Sequence, residues 1–554
     1  MNNFGLVLKI LSVTALFCCY GAEAKTDAHN VEPAKAHAAK EQSKSCKKVR
    51  KYNVVGSKLY SDTAFQEQLK EFQGLCFERS LEDKIATKIN NFYQEHGYIY
   101  SFVTNIEFDG STAQITVTEG HIKEVIYNED FENPQLIAYT KKLMEIQPYN
   151  SFQAARYIEL IKRLPGINGN LILKPIIKPF DDLNPEDSAI ISLLIENHFY
   201  NVLGYLSFDN RSRDLRSDTV VMKNSGSVYT KHKGPNFLTA LATINNPFAL
   251  GGQITTSVST SMNHEDNSFA LGYRQPINTY GTDVLTSVST SIVKWPIQQQ
   301  TPSIELGISH PFFLSTNHSI EGFTKLKQYN AKNQYIHTPP QYESINVKKL
   351  VLGANYKLKD KFKGKHHYIL HYHQSIKTNQ ANLQTSSHDK SFSKIVAQGE
   401  ITYPILSSDY MITLNANGQY SKNNLLRTEV FTTDLYKGAR GFDESEAYGD
   451  KGLATSIEFS RFFNVRDHLM FRGVRPYTYI DRSKFWNNVE SIYKPKAAML
   501  MSYGVGTDLH LHDNIIFNFE YSKPLKKTVQ ARYFQFDKKP SSRVYFGIRY
   551  EFGF

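Results

Sequence analysis

The chain has 554 residues and a formal net charge of +11, enough for several domains or for one large barrel with smaller modules. Its basic residues are scattered along the chain, which argues against a nucleic-acid surface and for solvated faces that meet anionic lipid or an unfolded client. With 35 Phe and 34 Tyr, a mean hydropathy of −0.42 and no long apolar stretch after Lys25, helical membrane spans are excluded; a soluble secreted β protein and a transmembrane β-barrel remain.

Residues 1–24 read as a secretory signal. Lys9 is the one early charge, Ile10 to Tyr20 is apolar, and Ala22-Glu23-Ala24 supplies the small-x-small cleavage pattern. Removing it takes Cys18 and Cys19 and leaves Cys46 and Cys76, and two cysteines in an exported chain commonly pair. Residues 25–45, rich in Ala, Lys and Glu, form a flexible or weakly helical arm.

From Cys46 the pattern turns to strands and helices. A short strand is expected over Val49–Val55 and helices over Asp62–Gln73 and Leu81–Glu95. The second helix would be capped by Ser80, with Asp83 in its first turn, and stopped by Gly97. Ala113–Thr118 and Ile122–Tyr127 alternate as strands around Glu119-Gly120. The order then recurs: helices over Asn133–Met144 and Phe152–Leu164, the latter ended by Pro165-Gly166, then strands over Asn170–Lys174 and Ser188–Glu196. Two modules of similar element order, 46–122 and 123–198, are the expectation.

From Phe199 to the end, segments alternate apolar and polar with period two. Clear cases are Val202–Phe208, Phe237–Ile244, Val284–Val293, Ser303–Ser309, Lys349–Tyr356, Tyr410–Ala416, Ala454–Phe459, Ile515–Tyr521 and Val544–Phe552. In the last, Val544, Phe546, Ile548, Tyr550 and Phe552 share one face, while Arg543, Tyr545, Gly547, Arg549 and Glu551 share the other. That contrast is what a strand between lipid and an aqueous lumen requires. The expected domain is a barrel over 199–554, closed because an open edge in lipid leaves backbone groups unpaired.

The stretch Gly438–Gly452 interrupts this array. One arginine, Arg440, stands among small residues, followed by an acidic, glycine-punctuated run. It is too polar for a packed element and too long for a plain turn, which marks a functional loop. A buried Arg440 needs a carboxylate, and Asp443, Glu444, Glu446 and Asp450 all lie within reach along the chain.

Enzymatic signatures are not found: no His-Glu-x-x-His, no phosphate-binding glycine loop before a helix, no Gly-x-Ser-x-Gly, no CxxC pair. The expectation is a non-enzyme without cofactor or metal. His366, His367, His371 and His373 form the one histidine cluster; three share a parity and read as polar residues of a barrel wall rather than metal ligands.

Several motifs resemble one family. Gly74-Leu75-Cys76, Tyr93-Gln94-Glu95-His96-Gly97-Tyr98-Ile99 and Val117-Thr118-Glu119-Gly120-His121-Ile122 are similar to the first POTRA (polypeptide-transport-associated) module of two-partner secretion transporters. Arg163-Leu164-Pro165-Gly166-Ile167 resembles the second. Asp209-Asn210-Arg211-Ser212 looks like the turn that closes the first barrel strand. Leu425-Leu426-Arg427-Thr428-Glu429 resembles the approach to the long loop after strand eleven, and Arg440-Gly441-Phe442 its tip. Arg475 to Asp481 looks like the Phe-x-Asp strand, with Tyr479 in place of the phenylalanine.

The resemblance implies a mainly β fold: a 16-stranded transmembrane antiparallel β-barrel preceded by two small α/β POTRA modules. It further implies a Cys46–Cys76 disulfide, a lumenal pairing of Arg440 with Asp481, and a barrel-assembly signal at Tyr550, Phe552 and Phe554. The implied role is an outer-membrane translocator, with its modules in the periplasm of a Gram-negative bacterium, exporting an unfolded partner exoprotein of haemolysin or adhesin type. Expected partners are that exoprotein, outer-membrane lipid and the barrel-assembly machinery, without nucleic acid. A barrel-insertion factor of the same superfamily, or a passive porin with periplasmic binding modules, are the alternatives. The family's pore-plugging N-terminal helix finds little room in the residues before Cys46; Val31–Ser43 is the stretch available for a brief one.

Overall fold

The computed structural model describes residues 47–127, 133–175, 190–199, 201–210, 236–262, 266–293, 297–335, 341–381, 389, 391–405, 409–432, 438–442, 447–465, 471–490, 495–512, 514–530 and 542–553. The expected signal segment, the arm, Cys46 and Phe554 lie outside them. Apart from Lys47, the described residues belong to one compact unit, Lys48–Phe554.

The first α/β module is a three-stranded sheet covered by two helices. Lys51–Val55 runs parallel to Thr112–Glu119, which pairs antiparallel with Ser101–Phe108. Helices Asp62–Leu69 and Arg79–Glu95 bury one face on the sheet. In the longer helix Leu81, Ile85, Ile89 and Tyr93 recur every fourth residue, placing all four on one stripe against Val54, Ile115 and Val117. Its N-cap is Glu78 rather than Ser80, which lies inside the first turn. Gly97 adopts φ +89°, the left-handed stop a helix end favours.

The strand Ser101–Phe108 was not expected from sequence, because a bulge between Val103 and Asn105 breaks its alternation. Tyr93, wholly buried, reaches through the core to donate to Glu119 (3.0 Å) and to Ser57 (2.9 Å). Glu119 also accepts from the backbone of Lys58 and Leu59. Cys76 is disulfide-bonded; Cys46, its expected partner, is outside the described residues.

The second module repeats the topology. His121–Tyr127 runs parallel to Ile190–Phe199, which pairs antiparallel with Ile167–Pro175. The strand opening at His121, just past Gly120, therefore pairs in the second sheet. Both helices carry asparagine caps: Asn133 accepts from Gln135 and Leu136 ahead of Pro134–Met144, and Asn150 from Phe152 and Gln153 ahead of Ser151–Lys162.

Beyond these modules the chain closes into a barrel of 18 hydrogen-bonded segments. Ile297–Gln300 and Ser303–Leu314 pair with the same two neighbours, and Lys451–Arg461 and Phe463–Asn464 both pair with Phe471–Trp486. The strands thus number sixteen, all antiparallel. The first, Val202–Asp209, closes on the last, Arg543–Gly553, from Leu203↔Gly553 to Asp209↔Gly547. Asn210 extends that seam beyond the strand: its side chain donates to the Val544 carbonyl (3.1 Å) and accepts from the Phe546 amide (2.8 Å).

Alternation sorts the two faces. Val544, Phe546 and Tyr550 are exposed on the outside while Tyr545 is buried inside; likewise Ile457 and Phe459 face out and Ser456 faces in. The outer face carries the apolar belt a bilayer covers.

The second module docks on the barrel turns nearest to it. Arg156 Nη2 donates to the carbonyls of Tyr280 (2.7 Å) and Pro311 (2.8 Å), and Arg163 pairs with Glu321 at 3.2 Å. Leu314, from the end of a barrel strand, completes the module's own core with Leu136, Tyr139 and Leu160. We expect Arg156→Ala to remove about 1.5–3 kcal/mol from this docking. A spin label on the helix and one on a turn should then report a broadened distance distribution, and an unchanged one would count against the contact.

Candidate functional site: a charged loop seat in the barrel lumen

The connection between Tyr410–Tyr420 and Lys451–Arg461 does not project away from the barrel. Its described parts fold against the inner wall, with a two-residue pairing of Phe431–Thr432 to Tyr448–Gly449 drawing its limbs together. Arg440 is only 5% exposed and Asp481 not at all. The guanidinium grips the carboxylate with two donors, Nε to Oδ2 at 3.0 Å and Nη2 to Oδ1 at 3.1 Å, and the Arg440 backbone amide adds a third at 3.0 Å. Such a forked, charge-assisted contact fixes orientation as well as distance.

The rest of the guanidinium is engaged as well. Nη1 donates to Glu458 Oε2 at 2.9 Å and lies 4.0 Å from Glu520; Nη2 also donates to Ser456 Oγ at 2.9 Å. Its plane lies over the Tyr479 ring, Cζ 3.2 Å from the centroid. The Arg440 carbonyl accepts from Tyr545 at 2.6 Å. Tyr479 and Tyr477 in turn each donate to Glu520 at 2.9 Å.

The tip is seated closely because its neighbours are small. Ser483 donates to the Gly438 carbonyl at 2.5 Å, and a Cβ at Gly438 would stand 2.6 Å from that of Ala454. A Cβ at Gly441 would stand 2.9 Å from that of Ser502. Phe442 is fully buried among Phe431, Ala439, Ala454, Phe485 and Leu500.

Of the other acidic candidates, Asp450 is engaged elsewhere, accepting from the amides of Leu425 (2.8 Å) and Asn488 (2.9 Å). Asp443, Glu444 and Glu446 lie outside the described residues. Sequence reading did not single out Glu458, Ser456, Glu520 or Tyr545. The strand pattern carried the signal for the first two, since Ser456 and Glu458 share a parity opposite Leu453, Ile457 and Phe459. Tyr479 keeps the flat ring of phenylalanine and adds a donor for Glu520. Tyr479→Phe should retain the stacking, lose that bond, and lower the temperature at which the folded barrel band converts on a gel; an unshifted band would show the bond contributes nothing.

A second contact holds the entering limb of the loop. Glu429, 2% exposed, lies between Lys349 Nζ (2.6 Å) and Lys394 Nζ (3.0 Å) and accepts from Tyr329 at 2.7 Å. Beside it is a cavity of about 300 Å³ walled partly by Ser257, Ser289, Ser303 and Lys327. Among the histidines, His367 bonds Asn355, His366 bonds Asp360, and His371 packs on Phe323. Among the described residues no group has metal-binding geometry.

A closed sixteen-stranded barrel with α/β modules at its N-terminal side and a loop tied inside its lumen defines a class: transmembrane β-barrels whose lumen holds one of their own loops. Residues 205–509 match the haemolysin secretion/activation protein family ShlB/FhaC/HecB, and residues 47–120 match the POTRA domain. The chain belongs to that family. It is an outer-membrane transporter of the two-partner secretion type, its N-terminal modules in the periplasm, exporting a partner protein. CdiB from Escherichia coli shares the fold at 16% identity and a TM-score of 0.66, over 94% of this chain and 93% of that one. CdiB from Acinetobacter baumannii does so at 16% identity and 0.60, over 98% and 97%. None of the curated proteins matches by sequence.

Proposed function

We propose that the exported partner is a large exoprotein of haemolysin or adhesin type, captured unfolded in the periplasm and threaded outward as the Arg440 loop leaves its seat. The observation that carries this reading is the seat itself. A segment fixed by polar contacts to Asp481, Glu458 and Ser456 fills lumen that a passing chain must use. Such contacts can be exchanged for water or for a client's own groups. Capture would use strand addition at a sheet edge, for which Ser101–Phe108 lies at one edge of the first module.

The reading assigns no catalysis and no cofactor, and leaves the driving force to folding of the client outside. It assigns outer-membrane lipid to the apolar belt, and the barrel-assembly machinery to Tyr550, Phe552 and Phe554. It pairs Cys46 with Cys76 as a brace for the first module, and it assigns no nucleic acid. The test is secretion by cells whose only copy carries Arg440→Ala. The expected result is a folded, heat-modifiable barrel in the outer membrane and loss of client from the medium, because export in this reading needs a loop that returns to its seat and not merely an open lumen; normal secretion would sink the loop mechanism.

A further inference from the structure

The loop touches the wall at two places with different chemistry, and only the tip belongs to the reading above. The second is built by the seventh, eighth and tenth barrel strands, His318–Tyr335, Gln341–Lys359 and Ser393–Ile405. They contribute Tyr329, Lys349 and Lys394, which converge on one loop carboxylate. Lys349 and Lys394 are 7% and 8% exposed, so both ammonium groups have given up most of their water. Lys394 also donates to the Glu429 carbonyl (2.8 Å) and to Gln419 (3.2 Å), and Gln419 donates to the same carbonyl (3.0 Å). Immediately upstream, Leu425 and Leu426 are buried against Ala331, Ile345, Val347 and Phe392. Glu429 thus supplies the negative charge between two buried cations, and it arrives only with the loop.

From this we infer that Glu429 is a second latch, independent of Arg440, which holds the entering limb of the loop ahead of its tip and must be released for the lumen to open. Glu429 is a positioning residue for gating: it acts through Lys349 and Lys394. The inference rests on the reading that the loop moves during export. Neutralising Glu429 leaves two buried like charges facing each other, which penalises the seated loop. Neutralising one lysine as well removes that mutual repulsion and leaves a single buried cation. This sign pattern separates a charge latch from a merely structural residue.

The experiment uses the purified full-length protein in planar lipid bilayers, without client. Glu429→Gln should raise the fraction of time spent in conducting states by roughly tenfold or more. Lys349→Gln/Glu429→Gln should fall back toward wild type. A cysteine placed at Leu426 should be protected from a water-soluble maleimide in an otherwise wild-type chain and labelled when Glu429→Gln is added, with heat-modifiable mobility confirming a folded barrel throughout. Wild-type conductance and protection in Glu429→Gln would overturn the latch, even if Arg440→Ala blocks export. A conducting Glu429→Gln protein together with normal export by Arg440→Ala would support the latch while removing the tip mechanism. A double variant no closer to wild type than Glu429→Gln alone would overturn the charge argument.

Discussion

Arg440→Ala is expected to give a folded barrel whose lumen conducts. The substitution leaves Asp481, Glu458 and Glu520 grouped without the cation that they share, although Glu458 keeps Arg475 at 3.1 Å. Removing one partner of a buried, hydrogen-bonded charge pair costs about 3–5 kcal/mol. At 1.4 kcal/mol per tenfold, that shifts the seated-to-released ratio by roughly two to three and a half orders of magnitude. The barrel wall remains intact, since the ladders on both sides of Asp481 are backbone bonds that Arg440 does not make. Planar-bilayer recordings check the outcome: frequent large openings are expected, and a trace matching wild type would mean that the tip does not close the lumen.

Phe442→Ala is the complementary experiment, because it leaves every charge in place. Its ring is wholly buried among Phe431, Phe485, Leu500 and four alanines. Phe→Ala in a packed site costs about 3–5 kcal/mol through lost burial and the cavity left behind. The loop should therefore loosen by a similar factor. The two variants should part company with salt. Added salt screens exposed charges on a Debye length of about 10 Å at 0.1 M, so it eases repulsion among the carboxylates stranded by Arg440→Ala once water enters, and narrows the gap to wild type. The Phe442→Ala phenotype should be insensitive to it. Conductance at two ionic strengths distinguishes them; identical salt responses would show that one contact dominates both.

Much of the barrel was legible in the sequence because lipid and water impose opposite demands on alternate residues. Val544–Phe552 shows both faces without any structure. The asparagine-capped helices were nearly as plain. What escaped was irregular or distant. The bulge in Ser101–Phe108 shifts its alternation by one residue, and Glu78 opens its helix without a side-chain bond that sequence can advertise. For the site, Arg440 and Asp481 were approached through motif resemblance; residue chemistry alone left four loop carboxylates as candidates. Ser456 and Glu458 were available from parity. The meeting of Glu429 with Lys349 and Lys394 was not, because strand register and the path of the loop bring together residues 80 and 35 positions apart.

The loop carries a carboxylate to one arc of the wall and a guanidinium to another. In the proposed mechanism it therefore serves as the counter-ion of the conduit as well as its obstruction. Once it withdraws, Lys349 and Lys394 on one arc lose Glu429 and Asp481 on the other loses Arg440, while Glu458 keeps Arg475 and Glu520 keeps Tyr477 and Tyr479. The vacated passage is polarised across its width. A polypeptide crossing it meets a transverse field, with cationic side chains drawn to one wall and anionic ones to the other. Charge distribution along a client then becomes a variable of its transit, alongside its length and its folding.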